Sequence, residues 1–154
     1  MKTVYFNEYN VRMGNATYFP LVSGILRAMV ESDPRLREAY SFKPFIFYLD
    51  SADNVLARYD EAPDVACFSV AMWNEQLSLH IARTLKERWP ECLIVFGGPQ
   101  LQKYPEDYFA EPPFIEAGVR AEGDEGFIQL LVRFTTPRIF AGVPNDSVVY
   151  PSTA

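Results

Sequence analysis

The chain has 154 residues, 49% hydrophobic and 22% charged, which suits one folded domain and is too apolar for a disordered segment. A net charge of −6 argues against a nucleic-acid module, which would carry a basic stripe, and against attachment to an anionic membrane surface. No apolar run reaches membrane-span length, and the amino terminus lacks a secretory h-region. Cys67 and Cys92 lie in apolar contexts without metal-ligand spacing, so they read as buried free thiols in a reducing cytoplasm.

In chain order, Val4 to Phe6 reads as the first strand, followed by a loop from Asn7 to Tyr18 that contains the Gly14-Asn15 turn signal. Pro20 suits the first position of a helix whose apolar stripe is Leu21, Ile25, Leu26 and Met29. Asp33-Pro34 stops it, with Leu36 to Tyr40 as a short continuation. Phe45 to Leu49 is a second strand, and Asp50 or Ser51 caps a short helix containing Val55 and Leu56. Asp64 to Val70 is almost wholly apolar, as expected of a central parallel strand covered on both faces. Asn74 caps a helix with Leu77, Ile81 and Leu85 inward, which ends near Trp89-Pro90. A fourth strand, Leu93 to Phe96, runs into Gly97-Gly98-Pro99. A short helix near Pro105, a weaker strand from Phe114 to Val119, and a helix opening at Glu122 to Asp124 follow. That helix turns Phe127, Leu130, Leu131 and Phe134 inward.

Repeated strand–helix units predict an α/β fold, a flavodoxin-like or Rossmann-like doubly wound parallel sheet of five strands in the order 2-1-3-4-5. The main unit spans residues 1–137. Residues 138–154 form a tail in which Pro144-Asn145-Asp146 could turn a C-terminal hairpin between Arg138 and Tyr150.

In open parallel sheets, ligands bind beyond the carboxyl ends of the strands, which selects the loops after the first, third, fourth and fifth strands. Gly97-Gly98 is the most informative of these. Two absent side chains allow a bulky ligand near the backbone, or else the turn needs a positive φ. The Ser69 hydroxyl can donate to a ring nitrogen or bond its own backbone. Glu122, Asp124 and Glu125 either cap a helix or offer carboxylates to ligand hydroxyls and amides. Met72 and Trp73 line an apolar pocket or pack at its rim. His80, the one histidine, lies mid-helix and reads as structural. Phosphate-loop, dinucleotide-fingerprint, nucleophile-elbow and cysteine-cluster motifs are all absent.

The strand-end motifs together resemble the N-terminal cobalamin-binding domain of cobalamin-dependent radical S-adenosylmethionine (SAM) enzymes. The resemblance covers about Val4 to Leu131 and rests on three stretches. They are Pro63 to Asn74 with the helix after it, Pro90 to Pro99, and Ala121-Glu122-Gly123-Asp124-Glu125-Gly126-Phe127, which is similar to the family's Gly-Glu-Gly-Glu segment. Ser69-Val70-Ala71 and Gly97-Gly98 occupy the places of the family's Ser-x-Leu and Gly-Gly motifs, with Ala71 for Leu and Ala121 for the first Gly of the acidic motif.

The resemblance implies that the cofactor's nucleotide tail enters a slot between the sheet and its flanking helices. Ser69 would lie near the dimethylbenzimidazole, and Gly97-Gly98 would let that ring through. The loop from Asn10 through Gly14 to Tyr18 and the segment Glu122-Gly123-Asp124-Glu125 would surround the corrin and its polar periphery, and Ala71, Trp73, Pro99 and Gln100 would also bind the cofactor. No Asp-x-His-x-x-Gly motif is present, which implies base-off cobalamin with no histidine ligand from the protein. The iron–sulfur cluster [4Fe-4S] and SAM would belong to a radical SAM barrel in cis, whose Cys-x-x-x-Cys-x-x-Cys motif is absent here, so the chain reads as a fragment without turnover alone. The alternatives are a cofactor-free flavodoxin-like interaction or signalling domain, and a small enzyme using Glu8, Glu122 or Asp124 as its acid or base.

Overall fold

The computed structural model describes residues 1–14, 16–17, 19–100, 115–119, 124–135 and 148–149, with the backbone alone for Arg12, Met13, Ala16, Thr17, Asp124, Arg133, Thr135, Val148 and Val149. The sheet is built on β1 (Lys2–Asn10), β4 (Tyr40–Phe42), β5 (Ile46–Tyr48), β6 (Val65–Ser69), β7 (Leu93–Gly97) and β8 (Ala117–Val119). All of these pair in parallel, in the order β4/β5-β1-β6-β7-β8, a doubly wound arrangement that matches the expected five-stranded order in part, with two short strands where one was expected. β9 (Val148–Val149) adds an antiparallel edge beside β8, while the rest of the expected hairpin lies outside the described residues.

Alternation along the central strands divides the interior in two. Tyr5, Tyr9, Ala66, Phe68, Ile94 and Phe96 face α2 (Ala52–Leu56) and α3 (Glu75–Arg88). Val4, Phe6, Val65, Cys67, Val95, Ala117 and Val119 face the other way, toward α1 (Leu21–Ser32) and α4 (Asp124–Thr135). This is why β6 and β7 read as unbroken apolar runs: both of their faces are covered.

Four expectations change. The first strand extends through Asn10, so Asn7 to Asn10 belong to the sheet; the chain then makes a small ladder, β2 (Arg12–Met13) with β3 (Ala16–Thr17), around Gly14 at φ 62°. Pro20 is the cap of α1, not its first helical residue. Tyr40 does not end a helix but begins β4, and its hydroxyl donates to the Leu131 carbonyl at 2.8 Å. Pro44 lacks an N–H and lies in the gap that splits the second strand into β4 and β5, each pairing with part of β1. In α1, Leu26 and Met29 pack against the core, but Leu21 is 68% exposed and Ile25 lies partly open.

α1 carries no acid in its first turn and Pro20 offers no side-chain cap. Glu8 on β1 supplies one from a distance: its Oε2 accepts from Ser23 Oγ at 2.9 Å and from the Ser23 backbone N–H at 3.3 Å. Glu8 is buried, and burial pushes its carboxyl above the ordinary 4.5, against the lowering effect of the Ser23 and Val22 bonds. The folded chain therefore holds this proton more tightly than the unfolded chain. The associated stability is complete below the unfolded value and is lost as pH rises through the folded one. Glu8→Gln cannot ionise. Urea denaturation at successive pH values should show its stability, relative to the parent chain, rising with pH across that window.

Candidate functional site

A cavity of about 430 Å³ opens at the carboxyl ends of the strands, between the sheet and the pair α1 and α4. That volume lies within the range of about 300–1,000 Å³ common for small-molecule sites. Phe6, Cys67, Val95 and Val119 form its floor, and Phe127 closes it from α4. Val22, Ile25 and Leu26 of α1 form the facing wall, which explains the open residues of that helix: part of its apolar stripe faces a void. Among the described residues no charged side chain lines the cavity, and its polar side chains are Asn7, Ser23 and Ser69.

These three polar groups differ in what remains free. The Asn7 amide is committed, donating to the Cys67 carbonyl at 3.0 Å and accepting from the Tyr9 and Tyr59 hydroxyls at 2.9 and 2.6 Å. The Ser23 hydroxyl is held by Glu8. The Ser69 hydroxyl has no hydrogen-bond partner among the described residues and is the polar atom on offer to a ligand. The alternative in which it bonds its own backbone does not occur.

Ser69 and Gly97 are direct register partners on β6 and β7. The next residues continue the contact: Val70 N–H donates to the Gly97 carbonyl at 2.7 Å, and Gln100 N–H donates to the Val70 carbonyl at 3.2 Å. The two glycines serve different ends. Gly98 has φ 99°, and a Cβ there would stand 2.6 Å from Val70 N and O, so the turn itself requires glycine. A Cβ at Gly97 would meet only the Val119 carbonyl, at 3.4 Å. At Gly97 the backbone conformation does not itself require glycine.

The loop after β6 is fixed by Asn74, a residue read from sequence only as a helix cap. It occupies the cap position of α3 but makes no standard capping bond. Its Oδ1 accepts from Ala71 N–H at 2.9 Å, and its Nδ2 donates to the Tyr9 and Ser69 carbonyls, both at 3.1 Å. It thereby ties the ends of β1 and β6 to the loop. Its side chain is completely used, and sequence offered no sign of this beyond a buried-strand end followed by Asn. Trp73, 53% exposed, donates from Nε1 to the same Tyr9 carbonyl at 3.1 Å, and Met72 beside it is 80% exposed.

Of the other expected positions, Pro99 lines the cavity and Gln100 adjoins it through Val70. Ala71 is buried in the Asn74 loop. Asn10 ends β1, where its carbonyl accepts from Leu49 N–H, and it does not line the cavity. Gly14 lies exposed at the β2–β3 turn. Tyr18, Glu122 and Gly123 lie outside the described residues, and Asp124 is described only as the first residue of α4. His80 is exposed on α3 and apart from the cavity. Among the described residues, no cluster of His, Cys, Asp and Glu could hold a metal, and no helix is long and apolar enough to cross a membrane. Both cysteines are buried free thiols; burial raises Cys67 well above the usual thiol range and Cys92 to about 12, so neither is a thiolate at neutral pH.

No protein-family profile matches the chain. It is 34% identical over 147 residues to 2-(S-pantetheinyl)-carbapenam-3-carboxylate methyltransferase of Streptantibioticus cattleyicolor, covering 95% of this chain and 21% of that protein. It is 32% identical over 145 residues to the cobalamin-dependent radical SAM methyltransferase TokK of Streptomyces tokunonensis, covering 91% of this chain and again 21% of the relative. The chain thus spans about a fifth of the length of the curated relatives it matches. The resemblance read from the strand-end motifs is thereby supported by homology along nearly the whole chain.

Two contrasts test this geometry. Gly98→Ala should cost about 2 kcal/mol or more in chemical denaturation, because strain and a backbone clash coincide, whereas Gly97→Ala should cost under about 1 kcal/mol. Asn74→Ala, which orphans the buried Ala71 N–H, should cost about 2–3 kcal/mol and expose the amides of residues 70–73 to hydrogen exchange.

Proposed function

We propose that this chain is a cobalamin-binding module: the cavity takes the nucleotide tail of a base-off corrinoid, and the corrin ring lies outside it, over the carboxyl ends of β1, β6 and β7. The observation that carries this reading is the slot, lined by no charged side chain among the described residues, that opens beside the Ser69–Gly97 pair in a chain homologous to a segment of a cobalamin-dependent methyltransferase. The fit is chemical and steric. An apolar slot of about 430 Å³ suits a flat heterocycle with its sugar but not a whole corrin. The free Ser69 hydroxyl can donate to the ring nitrogen that base-off binding exposes. Gly97 keeps the entrance clear, and Glu8 holds α1 at the distance that makes the slot.

When bound, cobalamin would supply methyl transfer or radical chemistry, and the residues described here bind and orient it and exclude water. His80 stands exposed on α3, on the face of the sheet opposite the slot. The exposed Met72, Trp73, Phe19 and Leu21 suit cover by a radical SAM barrel in cis, which would hold SAM and the [4Fe-4S] cluster. In this reading residues 1–137 form the binding unit, residues 138–154 lead toward the barrel, and the unit has no turnover by itself. The buried thiols of Cys67 and Cys92 support a reducing, cytoplasmic setting.

Titration with hydroxocobalamin should change its visible spectrum toward the base-off form, and the corrinoid should co-elute with the protein in gel filtration. Gly97→Leu should fold normally and weaken binding by at least about tenfold, some 1.4 kcal/mol. His80→Ala should leave the spectrum unchanged. Equal affinity in Gly97→Leu and the parent chain would remove the slot from the proposal.

A further inference from the structure

The layer opposite the slot carries oxidisable rings from one end of the sheet to the other, and cofactor binding uses none of their hydroxyls. At the carboxyl end, Trp73 is half exposed and bonded through Nε1 to the Tyr9 carbonyl. The Tyr9 and Tyr59 hydroxyls converge on one atom, Asn7 Oδ1. The Tyr59 ring stacks on that of Tyr5, with centroids 4.4 Å apart. The Tyr5 hydroxyl donates to Asp60 Oδ1 at 2.7 Å, and Lys43 Nζ lies 3.0 Å from the same oxygen. Tyr5 and Tyr9 are four residues apart on one strand, so the series spans about 13 Å of β1 before Trp73 is added. Phenylalanine would fill this core equally well, so packing alone does not account for three buried hydroxyls, each with a partner.

We infer that Trp73, Tyr9, Tyr59 and Tyr5 form a hole-transfer relay that carries an oxidising equivalent away from the carboxyl-end face to the Tyr5–Asp60 pair. A one-electron oxidant at that face takes an electron from Trp73; a carbon-centred radical would take up that electron together with a proton from solvent and end as a C–H bond. Tyr5 returns one electron to the indole cation radical, with Tyr9 and Tyr59 as the intervening medium. The Tyr5 O–H bond breaks as its proton passes to the Asp60 carboxylate. The products are neutral Trp73, a neutral tyrosyl radical and a protonated Asp60. Tyr5 is the terminus because it alone of the three tyrosines bonds a base. The amide oxygen of Asn7 does not take a proton at neutral pH, whereas Asp60 is kept ionised by the Tyr5 hydroxyl and by Lys43. The biological use, sparing the site from stray radicals, rests on the proposed function; the wiring does not.

The test therefore needs no corrinoid. A ruthenium-polypyridyl photosensitiser is attached at Met72→Cys, where the side chain is 80% exposed, while Cys67 and Cys92 are buried and escape labelling. Flash oxidation is followed by transient absorption and electron paramagnetic resonance. The tryptophan radical should decay as a tyrosyl signal grows. Tyr5→Phe, with an unchanged circular dichroism spectrum, should lose the tyrosyl signal and prolong the tryptophan radical. Asp60→Asn, which keeps the tyrosine but removes its base, should slow the transfer. A tryptophan radical that decays equally fast in the parent, Tyr5→Phe and Tyr59→Phe would overturn the relay, whatever the outcome of cobalamin titration.

Discussion

The register of β6 against β7 sets the rest of the structure. It places Ser69 opposite Gly97 at the carboxyl end of the two central strands, both apolar on both faces until that point. Along the strands each residue finds a neighbour to fill its face. At this one pair the filling stops, because one partner is small and polar and the other has no side chain. The void this leaves is bounded by α1 and α4, which reach across from the layer below. The cavity thus results from an interruption in the same alternation that builds the core.

The two faces of the sheet then serve different purposes. The face under α2 and α3 is closed and rich in aromatic rings, where Tyr5 stacks on Tyr59 and Phe68 meets both Tyr9 and Phe96. It supplies rigidity, and Asn74 anchors the site loop to it through the Tyr9 carbonyl. The face under α1 and α4 is solid around Val4, Val30 and Leu131 but hollow toward the carboxyl end. Glu8 stands where the filled and hollow parts meet, and its contact with Ser23 compensates for the missing local cap of α1.

Much of this was legible in the sequence, for definite reasons. The runs at Val65 to Phe68 and Leu93 to Phe96 are apolar without alternation, which only doubly covered strands require, and the parallel α/β class followed from the repeated strand–helix units. Gly97 and Ser69 were singled out because ligands in such sheets gather at strand ends, and both line the cavity. The stripe of α1 was legible as a stripe, but hydrophobic spacing cannot distinguish a packed wall from one that faces a void. The separate roles of Gly97 and Gly98 were hidden, since they depend on how near the Val70 backbone comes. Glu8, Asn7 and Asn74 escaped for the same reason: their partners, Ser23, Tyr59 and Tyr9, are remote in sequence and are brought near only by the fold.

The central claim is that a corrinoid tail occupies the layer between the sheet and α1, and methyl resonances report on that layer directly. In a methyl-labelled chain, hydroxocobalamin should shift the signals of Val22, Leu26, Val95 and Val119, which line the slot, and leave those of Ile81 and Leu85, packed beneath the opposite face, in place. Shifts confined to Ile81 and Leu85, or none at saturating corrinoid, would contradict it.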